Sequence, residues 1–297
     1  MLGNNIKVHF AGMEDKVQFA CKEIAGAKYS LWSCYKYIAG KKPGDDMRVT
    51  SDIFIPKLVE DTDRHVIMDS GLFTMMFGAG KNVQQSAATI KDWQDKQLEF
   101  IRQNDIQSTI VECDCQKLLG VEEAWYFRRR MRDRIKNRQI NVYHKEDGQK
   151  GLDRLIEFTD YIAFSVPELR GVYGNNHARV TRRLVEYTKN KKPEIDIHLL
   201  GCTDKKMLHE NRDCTSADST SWLSGRRYGR VAGYHYTQLK DSAAVALEKK
   251  YRAEMNRWKE ILNIPSSEKL DNYYYMQGVL GLVSELRIYE SICGPQD

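Results

Sequence analysis

Two short segments of the chain each place an aspartate just after an apolar run typical of a β-strand. Asp69 begins the segment DSGLF at 69–73, and Asp218 lies in the segment ADSTSW at 217–222. Two acids on different strand ends suit a displacement at a sugar carbon, because one can attack the carbon while the other moves protons. The carboxyl ends of strands are also where α/β enzymes keep their catalytic groups.

Other predicted strand ends carry residues that could bind a flat heterocycle. Carboxylates can accept hydrogen bonds from ring N–H groups, and Phe73 and Leu200 could hold such a ring from its two faces. Each acid alone could equally be a helix N-cap or a solvated loop charge, so only the ordered set favours a binding site. The set comprises Asp114, Tyr143, His144, Glu168, Leu200 and Gly201.

The elements that must position these residues alternate along the chain. Short β-rich runs are separated by segments with helical spacing, such as Ile90, Trp93, Gln97 and Ile101. An alternation of eight strands with helices predicts an α/β fold of the (β/α)8 TIM-barrel type. The predicted strands are 29–34, 65–68, 108–113, 139–143, 161–164, 195–200 and 214–217, with an eighth between Tyr228 and Tyr236.

The last 57 or so residues change character, because apolar residues recur there at helical spacing on both sides of Pro265. We therefore expect a barrel domain over 1–240. We expect a helical segment over 241–297 that packs on or beside the barrel and completes its outer layer.

Composition excludes several classes of protein. The chain has 297 residues, 41% of them apolar, and no apolar run approaches the roughly 20 residues of a membrane-spanning helix. Its seven cysteines are scattered and odd in number, which favours reduced thiols and a cytoplasmic location. Cys202, His209, Cys214 and His198 lack recognisable ligand spacing, so we expect no metal or other cofactor. The net charge of +5 permits a polyanionic partner.

Five of these segments, in this order, resemble the tRNA-guanine transglycosylase superfamily, and most strongly its phage and bacterial branch that modifies DNA. The family's DSGxF segment matches residues 69–73, and its acid after the next strand matches Asp114. Its AVGE-like element matches SVPE at 165–168, its HLLG strand matches 198–201, and its nucleophile segment matches 217–222. The resemblance covers residues 64–230.

This resemblance implies a role for each matching residue. Asp218 would be the nucleophile that attacks C1′ of the target nucleotide, and Asp69 the general acid and base. Asp114 would bind N1–H and the exocyclic amine of the base, and Glu168 would lie near the 7-substituent. Phe73 and Leu200 would sandwich the ring. The implied reaction exchanges guanine for a 7-deazaguanine such as preQ0 or preQ1.

The chain departs from the tRNA-acting enzymes in ways that favour DNA as the polymer. Those enzymes carry a CxCxxC element and a histidine that bind structural zinc beyond the nucleophile, whereas only Cys293 follows Asp218 here. The glutamine that reads guanine is replaced by Tyr143 or His144. Alternatives are a tRNA-acting enzyme, a nucleoside or base hydrolase that uses the same acids, and an inactive nucleic-acid-binding barrel. The family also implies a homodimer and a cytoplasmic location, in the host for a phage protein.

Basic residues are the remaining indication of a nucleic acid. Arg226, Arg227 and Arg230 follow the nucleophile segment, where a phosphate backbone would pass. The run of arginines over 128–134 is either a second phosphate contact or a solvated helix face. Trp222 could stack on a neighbouring base or lie in the core.

Overall fold

Eight parallel strands close into a barrel in which each strand is hydrogen-bonded to the next and the last to the first. The computed structural model describes residues 6–49, 66–77, 86–202, 204–223, 230–231, 234–235, 242–261 and 269–294. The barrel strands are β1 Lys7–Ala11, β2 Ser30–Ser33, β3 Val66–Asp69, β4 Thr109–Val111, β5 Gln139–Tyr143, β6 Tyr161–Ser165, β7 Asp196–Leu200 and β8 Ser216–Ser219.

Helices follow the strands and surround them, so the predicted (β/α)8 TIM-barrel fold is confirmed. The described helices are α1 Lys16–Ala25, α2 Tyr35–Ile38, α3 Leu72–Phe77, α4 Ala87–Gln103, α5 Gln116–Leu119, α6 Val121–Arg132, α7 Gly148–Phe158, α8 Val166–Tyr173, α9 His177–Lys191, α10 Lys205–Glu210, α11 Ser242–Ile261 and α12 Lys269–Cys293. None of the described helices is long and apolar enough to cross a membrane.

The barrel closes through a strand that the sequence analysis missed. Strand β1 pairs in parallel with β8, with Lys7 opposite Ser216 and Phe10 opposite Ser219. The predicted eighth strand between Tyr228 and Tyr236 is wrong as a barrel strand. Its described parts are β9 Arg230–Val231 and β10 Tyr234–His235, which form a separate antiparallel pair. Asp69 therefore ends the third strand, and Asp218 lies on the eighth.

The side chains of each strand alternate between two apolar regions, as the pleat requires. Ile67, Val111 and Val142 belong to the cluster inside the barrel. Met68 and Ile110 belong to the larger cluster that the strands share with the surrounding helices. This alternation points every second residue of a strand towards the barrel axis, and at the carboxyl ends Asp69 and Asp218 line a cavity together with the apolar Leu200.

The C-terminal helices contact the barrel layer at its first strand and helix. In α12, the Tyr289 ring lies 5.9 Å from the Phe10 ring, and in α11 the Trp258 ring meets Phe19 edge-on at 6.0 Å. Glu285 of α12 accepts a 2.8 Å hydrogen bond from the Ser221 hydroxyl, just beyond β8. The division into 1–240 and 241–297 stays a prediction.

Candidate active site

A cavity of about 500 Å³ opens at the carboxyl ends of the barrel strands. It brings together eight of the residues that the sequence analysis selected. They are Asp69, Phe73, Asp114, His144, Glu168, Leu200, Gly201 and Asp218. Elements that lie far apart in the sequence therefore meet in one cavity of the size that binds small molecules.

Asp69 is held by the turn that follows its strand. Its Oδ2 accepts a 2.8 Å hydrogen bond from the backbone N–H of Gly71. Gly71 has φ +69°, and a Cβ there would lie 2.7 Å from the Cβ of Tyr35, so a glycine is required. The Ser70 carbonyl between them accepts hydrogen bonds from Trp93 Nε1 at 2.9 Å and from Cys34 Sγ at 3.3 Å.

The environment of Asp69 favours its protonated form. Burial raises the pKa of Asp69 to about 6, against the hydrogen bond from Gly71, and the negative charges of Asp218, Glu14 and Asp114 add to the rise. A carboxyl group with this pKa can both donate and accept a proton near neutral pH. This is the property expected of the acid and base predicted at this position.

Asp218 is fixed through one of its two carboxylate oxygens. Its Oδ1 lies 2.9 Å from the backbone nitrogen of Gly201, which donates to it, and 3.1 Å from Nε2 of His198. Gly201 has φ +61°, and a Cβ there would lie 2.9 Å from Cγ of Pro167. The hydrogen bonds that the described residues make to this carboxylate both end on Oδ1, and Asp218 itself lines the cavity.

His144 joins two of the predicted base-binding acids. Its Nε2 lies 2.6 Å from Asp114 Oδ1, and its Nδ1 lies 2.8 Å from Glu168 Oε2. Burial disfavours the charged ring, but the hydrogen bonds to Asp114 and Glu168 prevail and raise the pKa of His144 to about 10. The ring is therefore a cation near neutral pH that fixes both carboxylates.

Glu168 is positioned by the start of its helix and keeps one oxygen free of hydrogen bonds. Ser165 caps α8 by accepting from the Glu168 backbone N–H, and Lys117 lies 3.1 Å from Oε2. Burial raises the pKa of Glu168, but His144 and Lys117 outweigh it, so the pKa is lowered. Oε1 of Glu168 is buried and has no hydrogen-bond partner among the described residues. Glu168 thus lines the cavity with its Oε2 held by His144 and Lys117 and its Oε1 buried.

Phe73 is the most exposed large apolar side chain of the described residues. It is 71% exposed and lines the cavity, as Leu200 does. An aromatic ring that stays in water at the mouth of a cavity can stack on a flat ligand. The two residues predicted to contact a ring thus line the same cavity.

Two selected residues lie away from the cavity. Tyr143 follows the cavity-lining Val142 and therefore points to the outer face of β5, where its ring lies 5.7 Å from that of Phe164. Tyr143 and His144 are the two candidates to replace the guanine-reading glutamine of the tRNA-acting enzymes, and only His144 lines the cavity. Of the two roles left open for Trp222, stacking on a base is wrong and the core position is confirmed, because its side chain is 1% exposed and its Nε1 donates to the Ala11 carbonyl.

The basic residues proposed to contact phosphates are described only in part. Arg226 and Arg227 lie outside the described residues, as does the side chain of Arg230 in β9. In the run over 128–134, Arg128 is buried and its Nε donates to Glu112 at 2.8 Å. Arg130 is also buried, and it pairs with Asp95. These two arginines are structural, whereas Arg129, Arg132 and Arg134 are exposed.

Sequence analysis missed three polar residues of the site. Lys117 and Glu112 line the cavity, and His198 contacts Asp218. His198 alternates with apolar residues in β7, and this period of two could have indicated a side chain that points into the barrel.

One group of side chains could hold a metal ion. The ligand atoms of His144, Glu146 and Glu168 lie within 4.8 Å of one another, in a search confined to the described residues. A metal bound at Nδ1 of His144 would have to displace the proton that His144 shares with Glu168. The present hydrogen bonds therefore favour a protonated histidine at this position.

The fold and the cavity together define a (β/α)8-barrel protein with a carboxylate-lined site at the carboxyl ends of its strands. No protein-family model matches the sequence, and no curated protein is similar enough to count as a match.

Proposed function

We propose that this protein exchanges guanine in DNA for a 7-deazaguanine base through a covalent intermediate on Asp218. The observation that carries the proposal is the pairing of two acids with different properties in one cavity. Asp69 has a pKa raised to about 6, whereas Asp218 is held by N–H donors at Oδ1. One acid is thus suited to move protons and the other to attack a carbon atom.

In the first half of the reaction, Oδ2 of Asp218 forms a bond to C1′ of the target nucleotide. The bond from C1′ to N9 of guanine breaks, and its electron pair stays on the base. Protonated Asp69 supplies a proton to the departing base, so that guanine leaves as a neutral molecule. The transition state resembles an oxocarbenium ion, which the nearby carboxylate stabilises and then captures.

In the second half, the incoming base replaces guanine in the same cavity. Asp69, now a carboxylate, removes the proton from N9 of the 7-deazaguanine, and N9 forms a bond to C1′. The ester bond from C1′ to Asp218 breaks, and its electrons return to the carboxylate. Each half breaks one bond to C1′ and forms another, so the exchange needs neither water nor ATP.

The cavity wall matches the hydrogen-bonding edge of a guanine-like base. Asp114 lines the cavity as an acceptor for this edge, with His144 hydrogen-bonded at its Oδ1, and Glu168 lines the cavity beside it. N1–H and the exocyclic amine of guanine are donors. Phe73 and Leu200 supply the apolar faces between which the ring lies. Extruding a base from a duplex costs a few kcal/mol of free energy, and binding of the base in such a pocket offsets that cost.

Base exchange gives the direct test. The protein is incubated with radiolabelled guanine and either duplex DNA or bulk tRNA, and label in the polymer is counted. We expect label in DNA with the wild type and none with Asp218→Asn. Asp105→Asn is the matched control, because this exposed aspartate lies in the loop before β4, at the opposite end of the barrel.

The other outcomes identify the alternative functions. Label in tRNA keeps the mechanism and contradicts DNA as the polymer. Release of free guanine from DNA without entry of label points to a hydrolase. If neither occurs while Asp218→Ala binds DNA as tightly as the wild type, the protein only binds nucleic acid, and the proposed function is wrong.

A further inference from the structure

A line of hydrogen-bonded side chains runs inside the barrel to Asp218. The Tyr161 hydroxyl lies 2.5 Å from Oγ of Ser216, and the same Oγ is hydrogen-bonded to Nδ1 of His198. Nε2 of His198 then lies 3.1 Å from Oδ1 of Asp218. The strand register produces this line, because His198 of β7 is paired with Ser216 of β8.

The first three members of this line are out of reach of a ligand. His198, Ser216 and Tyr161 are 0% exposed, and none of them is among the residues that line the cavity. The His198 ring has the Tyr161 ring at 6.4 Å and the His9 ring at 6.2 Å, both edge-on. Any effect of His198 on a reaction in the cavity must therefore pass through Asp218.

The chemistry of the groups gives the line a direction. A carboxylate only accepts hydrogen bonds, so Nε2 of His198 carries a hydrogen. In the neutral ring Nδ1 is then the acceptor, and the Ser216 hydroxyl donates to it. Ser216 accepts in turn from the Tyr161 hydroxyl. Every donor then points towards Asp218, because its carboxylate requires the hydrogen on Nε2 and the hydroxyls of Ser216 and Tyr161 can both donate and accept.

We propose that His198 is a positioning residue that holds Oδ1 of Asp218, together with the Gly201 N–H, so that Oδ2 is the oxygen that attacks. This inference rests on the proposed function. In the covalent intermediate Oδ1 is the ester carbonyl oxygen, and the same two donors stabilise the carboxylate that is released when the second base attacks. His198 thus assists both halves of the exchange without touching either base.

Two variants separate this role from a structural one. In His198→Gln the amide nitrogen reaches the place of Nε2, whereas in His198→Asn it reaches only the place of Nδ1. We expect the glutamine variant to keep most of the exchange rate. The asparagine variant should lose roughly 10- to 100-fold in kcat, the effect of one hydrogen bond to a charged group. KM for guanine should stay unchanged in both, because His198 does not line the cavity.

The result that would overturn the inference is equally specific. Equal kcat values for the asparagine variant and the wild type, with Asp218→Asn inactive, would leave the proposed function intact and exclude a role for His198. A change confined to KM would also contradict it. Thermal unfolding of both variants, measured beside the wild type, shows whether either loss comes from a damaged fold.

A second measurement does not depend on activity. In the full chain labelled with ¹⁵N-histidine, the His198 signals are assigned by their loss in His198→Gln. We expect Nε2 to carry a hydrogen at neutral pH. A bare Nε2 beside a protonated Nδ1 would overturn the inference even in a protein without exchange activity, since such a ring cannot donate to Asp218.

Discussion

Gly201 donates its backbone N–H to Oδ1 of Asp218 over 2.9 Å and so joins the ends of β7 and β8. The bond depends on a backbone conformation with φ +61° at Gly201. A Cβ at this position would lie 2.9 Å from Cγ of Pro167, so there is no room for a side chain. A carboxylate that receives a main-chain donor and a buried histidine at the same oxygen has little freedom to rotate. The geometry of the last two strands thus sets which oxygen of Asp218 is held by hydrogen bonds.

Gly201→Ala is expected to damage both stability and activity. The positive φ and the clash with Pro167 should cost about 1–3 kcal/mol of unfolding free energy, and displacement of the N–H should lower the exchange rate further. Gly171→Ala is the control, because nothing lies within 4 Å of its Cβ position on an exposed helix face, and it should be neutral or stabilising. Chemical unfolding measures the change in stability, and single-turnover exchange measures the change in rate. Equal unfolding free energies and equal exchange rates for the two variants would contradict this role of Gly201.

The raised pKa of Asp69 predicts a pH dependence of the release of guanine. In the proposed exchange Asp69 is protonated when guanine leaves, so the release rate in a single turnover should fall as the pH rises above about 6. Because the folded pKa is raised above the usual 3.8, its contribution to stability is full below pH 3.8 and is lost as the pH rises through about 6. Asp69→Asn should remove both dependences, and Asp105→Asn neither. A release rate in the wild type that does not change between pH 5 and pH 8 would exclude Asp69 as the acid.

His144 should stabilise the protein over a wide range of pH. Its folded pKa is raised from 6.5 to about 10, so its contribution is full below pH 6.5 and is lost as the pH rises through about 10. The difference in unfolding free energy between wild type and His144→Gln should therefore shrink from pH 6 to pH 10. His209→Gln, on an exposed helix face, is the control. A difference that stays constant over this range would show that the ring is neutral.

Substitutions in the arginine run over 128–134 should lower stability at the buried arginines and leave it nearly unchanged at the exposed ones. Arg128 and Glu112 form a buried ion pair, and Glu112 also accepts from Asn141 and from the Val142 N–H at 2.8 Å. Arg128→Met should cost about 3–5 kcal/mol, because it leaves a buried carboxylate unpaired. The adjacent Arg129→Gln should change stability by less than about 0.5 kcal/mol. Urea unfolding measures both, and a stable Arg128→Met would contradict the structural role.

The class of fold and the cavity acids could be predicted because both depend on local patterns. Asp69 and Asp218 each follow an apolar run, and the carboxyl ends of parallel strands meet at one face whatever the exact register. Strand β1 escaped prediction because Lys7 and His9 interrupt its apolar residues, and a polar side chain inside the barrel looks like a loop residue in the sequence.

The contacts between strands could not be predicted in the same way. The bond from His198 to Asp218 depends on the register of β7 against β8, which is set by closure of the whole barrel. Trp222 ends the segment over 217–222, where the sequence leaves open both a role in binding and a place in the core, and packing places it in the core. The bridge formed by His144 likewise requires three strand ends to meet, and no spacing in the sequence encodes it.

The proposed covalent intermediate on Asp218 can be detected directly. The protein is mixed with a guanine-containing duplex oligonucleotide, denatured, digested and analysed by peptide mass spectrometry. From the wild type we expect a peptide that contains residues 217–222 and is esterified at Asp218 to an oligonucleotide that has lost its guanine base. We expect no such product from Asp218→Asn. An adduct on another residue, or release of guanine with no adduct at all, would contradict the proposed intermediate.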